Sequence, residues 1–336
     1  MPLCLDCFAF LAPRKHQTSP EEEPLAPRQQ DLAVPPRVQL AHALPKKQGW
    51  EALLQEEDVQ WLHIGDGWLP PLVEVPLKLR VGEKEFRRLV KPPSVEALWE
   101  WYEEHGKTSA DPSWAQVWPC AAALALLLTR QPGYTVRGKR VVELGAGLGV
   151  AGLAAALAGA DVLLLDREPL ALHCAASTAA LQSLPVGAVD APHAEHMVRA
   201  AVYDWSASQT FNFPADVVVA SEVLYDPSEA LQVSVSAMKL MGEAQPCVAF
   251  VSNTDDLAHN NSQLSLNISL EAPQLRNCRL LITDPRRERC PGTREALATG
   301  LRQAGATVEL YEAPTPCLGD GLQDQEDVAV IDAIWK

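Results

Sequence analysis

The 336-residue sequence predicts an α/β fold, a doubly wound and mostly parallel seven-strand sheet carrying an N-terminal accessory layer of β-ribbon and helix. Three observations lead there. From Trp118 onward, short apolar runs alternate with longer stretches of helical character. The runs RVVEL, VLLLD and ADVVVASEV lack the in–out alternation of a sheet wetted on one face, so helices must cover both faces. The last two runs, TVELYE and DVAVIDAIW, have only the acidic loop GDGLQDQED between them and should therefore pair antiparallel.

In chain order, residues 1–46 are rich in Pro, Gln and charge without sustained periodicity, and read as a disordered tail. Residues 47–112 form an accessory segment. Within it, VEVPLKLRVGEKEFRRLV alternates on either side of Gly82 as two antiparallel strands, and SVEALWEWYEEH is a short helix with Ser94 as N-cap. Seven tryptophans (Trp50, Trp61, Trp68, Trp99, Trp101, Trp114 and Trp118) fall in or beside this segment, either sealing the layer onto a larger domain or walling a substrate site. The main domain spans 113–336. It opens with WPCAAALALLLTR, apolar nearly all round and hence a buried helix, and continues through RVVEL, a helix from Leu148, VLLLD, a helix from Glu168, AAVYDW, ADVVVASEV and the helix PSEALQVSVSAMKLM. CVAFVSN (247–253) and RLLITD both look like strands. RLLITD is taken as the core strand because a helix and two strands follow it directly, and residues 243–277 then read as an insertion.

A net charge of −15 argues against non-specific nucleic-acid binding, which needs a basic surface, and suits a basic partner such as a lysine-bearing protein. No apolar run reaches the roughly 20 residues that span a bilayer, so no membrane is expected. The N-terminus resembles a signal peptide poorly, and the early acids Glu21, Glu22 and Glu23 fit a transit peptide poorly. A cytoplasmic or nuclear location is the expectation, with organellar import left open. The eight cysteines are scattered, and the single C-x-x-C at Cys4 and Cys7 has no second pair at zinc spacing, so reduced thiols and no metal are expected.

The stretch VVELGAGLGVAGL (141–153) places Gly145, Gly147 and Gly149 between a strand end and a helix start, where backbone can approach a ligand and helix N–H groups are free. A dinucleotide fingerprint would need glycine at 150, which is Val150, and no Gly-Lys-Ser/Thr follows for a P-loop. Glu143 precedes the turn, where a carboxylate can orient a ligand amine. Asp166 closes VLLLD, nineteen residues beyond Gly147, a spacing at which an acid can accept from both ribose hydroxyls.

These residues carry a resemblance. Glu143-Leu144-Gly145-Ala146-Gly147 resembles motif I of the seven-strand S-adenosylmethionine-dependent methyltransferases. Trp118-Pro119, Asp204-Trp205 and Glu222-Val223-Leu224-Tyr225 resemble one branch, the lysine methyltransferase-like family (methyltransferase family 16). The likeness covers roughly 114–336 and is strongest over 114–230. It implies a Rossmann-like methyltransferase fold and S-adenosylmethionine as cofactor. By the same resemblance Trp118, Glu143, Gly145, Ala146, Gly147, Asp166, Asp204, Trp205 and Ser221 surround that cofactor, with Asp166 on the ribose and Trp205 flanking the adenine.

Methyl transfer from a sulfonium mainly requires positioning, and a lysine of pKa about 10.4 must lose its proton before it can attack. Glu222 can steer the incoming ammonium and Tyr225 can shape an aromatic channel, which makes them the candidate catalytic residues. Glu222 stands where the family more often has Asp. Asp284-Pro285-Arg286-Arg287 either borders the acceptor pocket or is a solvated loop. The function expected is N-methylation of a protein side chain, lysine favoured. Methylation of arginine or a small molecule, a dinucleotide oxidoreductase and a non-catalytic scaffold remain as alternatives.

Overall fold

The computed structural model describes residues 70, 72–81, 84–131, 133–206, 209, 211–225, 227–242, 277–313 and 327–336. The N-terminal tail, Trp50, Trp61, Trp68, Cys4 and Cys7, the strand expected at 247–253, most of the 243–277 segment and most of the acidic loop lie outside the described residues.

Strands β1 (Val73–Val81) and β2 (Lys84–Lys91) pair antiparallel as a separate ribbon. Helix α1 (Val95–Glu104) follows, started by Ser94, whose hydroxyl accepts from the Ala97 N–H at 3.1 Å. A 3-10 turn at Pro112–Ala115 leads into α2 (Pro119–Arg130). Then come β3 (Arg140–Leu144), α3 (Val150–Leu157), β4 (Asp161–Asp166), α4 (Pro169–Leu181), β5 (Val198–Val202), β6 (Val217–Ser221), α5 (Pro227–Met241), β7 (Cys278–Pro285), α6 (Thr293–Gln303), β8 (Thr307–Ala313) and β9 (Val328–Trp335).

The main sheet has seven strands in the order β5-β4-β3-β6-β7-β9-β8. The five from β5 to β7 run parallel, and β9 lies antiparallel to both β7 and β8. Alternate residues of each central strand feed opposite cores. Val141, Val162, Leu164, Val217 and Val219 pack with α2, α3 and α4, whereas Val142, Leu144, Leu163, Val218 and Leu280 pack with α5 and α6. Both faces of these strands are covered, which is why their sequences show no polar alternation.

Helix α4 is buried almost throughout because the ribbon lies on its outer side. The Val90 N–H donates to Thr178 Oγ1 at 2.9 Å, and Gln182 Nε2 donates to the Arg88 carbonyl at 2.9 Å. Among the accessory tryptophans Trp101 and Trp114 are buried, Trp99 is exposed, and Trp118 stands half-buried as the residue capping α2. The chain reverses its winding between β3, which leads on to β4, and β6, on its other side. At that switch the strand ends diverge and leave a crevice.

Candidate active site

The carboxyl ends of β3, β4, β5 and β6 open onto a cavity of about 330 Å³. Gly145 follows β3 with φ +62°, a left-handed conformation that a side chain would strain. A Cβ built there would lie 3.0 Å from Trp205 Cζ2 and 3.2 Å from Val223 Cγ1, so only a glycine leaves the turn open to a ligand.

Asp166 ends β4, buried, and lines the cavity. Its Oδ2 accepts from the Gly147 N–H at 2.7 Å and its Oδ1 from the Glu168 N–H at 2.9 Å. The carboxylate therefore ties the glycine turn to the start of α4, a role that sequence spacing alone does not assign it. Burial pushes its pKa up, and the two backbone donors oppose that. Glu168 beside it is pushed up to about 7, first by burial and then by the charge of Asp166. After β5, Tyr203, Asp204 and Trp205 line the same wall. Asp204 Oδ1 accepts from the Ser206 N–H and hydroxyl at 2.8 and 2.6 Å, which lowers its pKa. Ser221 and Glu222 come from the end of β6, and Tyr225, 40% exposed, stands at the mouth with its ring 6.4 Å from that of Trp205.

Glu222 is held unusually. It is buried, and its φ of +56° is left-handed for a residue with a side chain, a strain that surrounding contacts must impose. Its N–H donates to the Thr283 carbonyl at 2.8 Å. Helix α2 supplies the reason for the side chain's position. The helix begins with Pro119, Trp118 makes no side-chain cap, and Glu222 Oε1 accepts from the Cys120 N–H at 3.3 Å. A carboxylate from a distant strand thus serves a helix N-terminus that lacks its own cap. The other oxygen, Oε2, accepts from Arg289 Nη2 at 2.6 Å, and the Arg289 guanidinium lies 5.1 Å from the centre of the Trp118 ring. The Trp118 indole in turn donates to the Ser113 carbonyl at 3.2 Å.

Of the residues singled out from the sequence, Trp118, Gly145, Asp166, Asp204, Trp205, Ser221, Glu222 and Tyr225 line this cavity together. Glu143, Ala146 and Gly147 do not. Gly147 turns its N–H to Asp166, and Ala146 donates to the Leu165 carbonyl at 3.0 Å. Glu143 corrects the expectation of a carboxylate facing a ligand amine. It points into α3, fully buried, where its Oε2 accepts from the Gly152 N–H at 2.8 Å. A Cβ on Gly152 would lie 2.6 Å from that oxygen, so the glycine is what admits the carboxylate. Burial raises the Glu143 pKa to about 8, with the Gly152 N–H opposing.

Of the two readings of residues 284–287, the solvated loop holds for the exposed Arg286 and Arg287, while Asp284 and Pro285 end β7. Asp284 is buried and accepts from Arg294 Nε at 2.8 Å, while Arg286 Nε donates to Glu312 at 3.1 Å; neither side chain lines the cavity. Arg289 does, and sequence reasoning does not reach it; the signal available was the basic run following the next strand end. Asp111, Ser113 and Trp114 from the 3-10 turn complete the near wall. Among the described residues no cluster of three or more His, Cys, Asp or Glu side chains is placed to hold a metal, and no helix is long and apolar enough to cross a membrane.

The donor set suits a nucleoside bearing an amino-acid chain. Carboxylates at the ends of β4 and β5 can accept from hydroxyl and amino groups, Trp205 offers a flat apolar face, and the Gly145 turn admits close approach. Residues 102–262 match the model of a family described as lysine methyltransferase. The protein N-lysine methyltransferase METTL21A of Danio rerio is 49% identical over 55 residues, which are 16% of this chain and 25% of that protein. The electron transfer flavoprotein beta subunit lysine methyltransferase of Homo sapiens is 43% identical over 63 residues, 18% of this chain and 24% of that one. The histone-arginine methyltransferase METTL23 of Homo sapiens is 30% identical over 127 residues, 37% of this chain and 62% of that one. The chain thus spans about a quarter of the length of the first two relatives.

Proposed function

We infer, from the match of residues 102–262 to the lysine methyltransferase family model, that the chain is an S-adenosylmethionine-dependent N-methyltransferase acting on a protein side chain, with lysine the favoured acceptor. One observation carries this reading. The open Gly145 turn, Asp166 and the Asp204-Trp205 wall line the same cavity as Glu222 and Tyr225, so a cofactor pocket and an acceptor entrance are continuous.

When bound, S-adenosylmethionine supplies an electrophilic methyl group on a sulfonium. The chain's own residues provide position. Asp166, anchored by two backbone donors, presents its remaining lone pairs to the ribose. Trp205 flanks the adenine, and Gly145 leaves room for the amino-acid part. Glu222, fixed by α2 and Arg289, and Tyr225 at the mouth define where an acceptor nitrogen enters. The acidic chain, net charge −15, complements a lysine-bearing protein better than nucleic acid. A cytoplasmic or nuclear setting rests on the sequence alone.

Arginine is the second reading, favoured by the arginine-directed relative. Calorimetric titration with S-adenosylhomocysteine, NAD and NADP, repeated on Asp166→Ala, tests the cofactor assignment. Micromolar binding of adenosylhomocysteine alone, lost in the variant, is expected; heat only with a dinucleotide would move the reading to hydride transfer, and silence from all three to a scaffold. Incubation with methyl-labelled cofactor and cell lysate, followed by acid hydrolysis, separates methyl-lysine from methyl-arginine.

A further inference from the structure

The contact between Glu222 and Arg289 bears on the form in which an acceptor enters. A single buried carboxylate facing the cavity would favour an ammonium over an amine. That is the wrong direction for a nucleophile, because an ammonium has no lone pair. Both Glu222 oxygens already have donors, and the guanidinium on Oε2 stands at the mouth, its side chain 35% exposed against 5% for Glu222.

We propose that Arg289 cancels the charge of Glu222 at the acceptor entrance, so that the site takes a nitrogen acceptor as the free amine rather than the ammonium. The proposal rests on the methyltransferase reading of the same cavity. Arg289 is a positioning residue in this scheme, acting through Glu222 and through its own field.

The other groups around the pair leave this balance in place. From α2 the Cys120 thiol faces Glu222, and burial raises its pKa, so it stays uncharged. From β7, Asp284 is held by Arg294 of α6, which also reaches Glu288 at 3.5 Å. Those three neighbours do not line the cavity, whereas Glu222 and Arg289 both do. From the turn after β6 comes Tyr225, whose carbonyl accepts from the Cys290 thiol at 3.1 Å. Trp118 closes the far side with its ring toward the guanidinium.

The probe is the cofactor analogue in which carbon bearing a primary amine replaces the methyl-bearing sulfur, titrated calorimetrically beside S-adenosylhomocysteine from pH 6.5 to 9.5. The two ligands share every other group, so the ratio of their affinities reads the state of the added amine. For the unaltered chain the ratio should rise with pH, as the free amine accumulates. Arg289→Gln should raise the ratio at pH 6.5 by about tenfold and flatten its slope. Arg289→Lys, which keeps the charge, should keep the original slope, and Glu222→Gln should lower the ratio at pH 6.5 further, which gives a second variant should Arg289→Gln fold poorly. An Arg289→Gln ratio and slope equal to those of the unaltered chain would overturn the proposal. So would a gain that persists at pH 9.5, which would make Arg289 a steric plug. Loss of adenosylhomocysteine binding by the unaltered chain would instead remove the methyltransferase reading, and this proposal with it.

Discussion

Trp205 packs over the glycine turn so closely that its Cζ2 would stand 3.0 Å from any Cβ at Gly145. The φ of +62° there is also costly for alanine. Gly145→Ala should therefore either push Trp205 off its wall or shift the turn. Adenosylhomocysteine affinity should fall by about tenfold or more, with a stability loss of only about 1–2 kcal/mol. Calorimetry with a parallel thermal melt checks both numbers. A variant that binds normally would show that the turn does not border the ligand.

Glu222 combines a left-handed backbone with a carboxylate that caps α2. Removing the side chain while keeping a Cβ retains the strain, whereas glycine relieves it. Both Glu222→Ala and Glu222→Gly should lose methyl transfer. In urea denaturation the glycine variant should be more stable than the alanine variant by about 1 kcal/mol. The reverse order would mean that the positive φ carries no strain.

Burial raises the Glu143 pKa to about 8 in the folded chain, against an ordinary value of 4.5. Between those values the folded state holds a proton that the unfolded state has released, so stability from this group falls as pH rises. Glu143→Gln keeps an oxygen for the Gly152 N–H and has no proton to lose. Relative to the unaltered chain it should gain stability steadily from about pH 5 to pH 8, by on the order of 3 kcal/mol. A pH-independent difference in urea midpoints would contradict the burial argument.

Asp161 and Arg199, both fully buried, pair at the amino ends of β4 and β5, away from the cavity. His193 and the Ala194 N–H also contact the Asp161 carboxylate. Arg199→Met leaves Asp161 with less compensation in the interior. It should destabilise the fold by about 3–5 kcal/mol while adenosylhomocysteine affinity of the folded fraction stays unchanged. Urea denaturation and calorimetry at low temperature separate the two effects.

The strand and helix order from Trp118 on was legible because it depends on local pattern. Apolar runs of five or six residues flanked by helical stretches can bury themselves only as a covered sheet. The Ser94 cap and the antiparallel end of the sheet were legible for the same reason, since a hydroxyl before a helix and a short connection act over a few residues. Asp166, Trp205 and Glu222 reach one cavity because they stand at or just past strand ends, and strand ends meet at the switch point, whereas Trp118 reaches it from the start of α2.

Side-chain direction was another matter. Glu143 and Asp166 both lie beside the glycine turn in the fold, yet one reaches into α3 and the other onto the cavity wall, because each goes to a backbone donor at a helix start or turn. Arg289 reaches Glu222 across 67 residues of chain, and nothing in the run PRRERC distinguishes it from Arg286 or Arg287. By itself the sequence determined which helices and strands form from Trp118 to β6 and which of their ends hold glycine and acidic residues, since hydrophobic period and turn residues are local. The tertiary structure alone decided which charges meet, because that depends on how separate elements place their unpaired donors and acceptors.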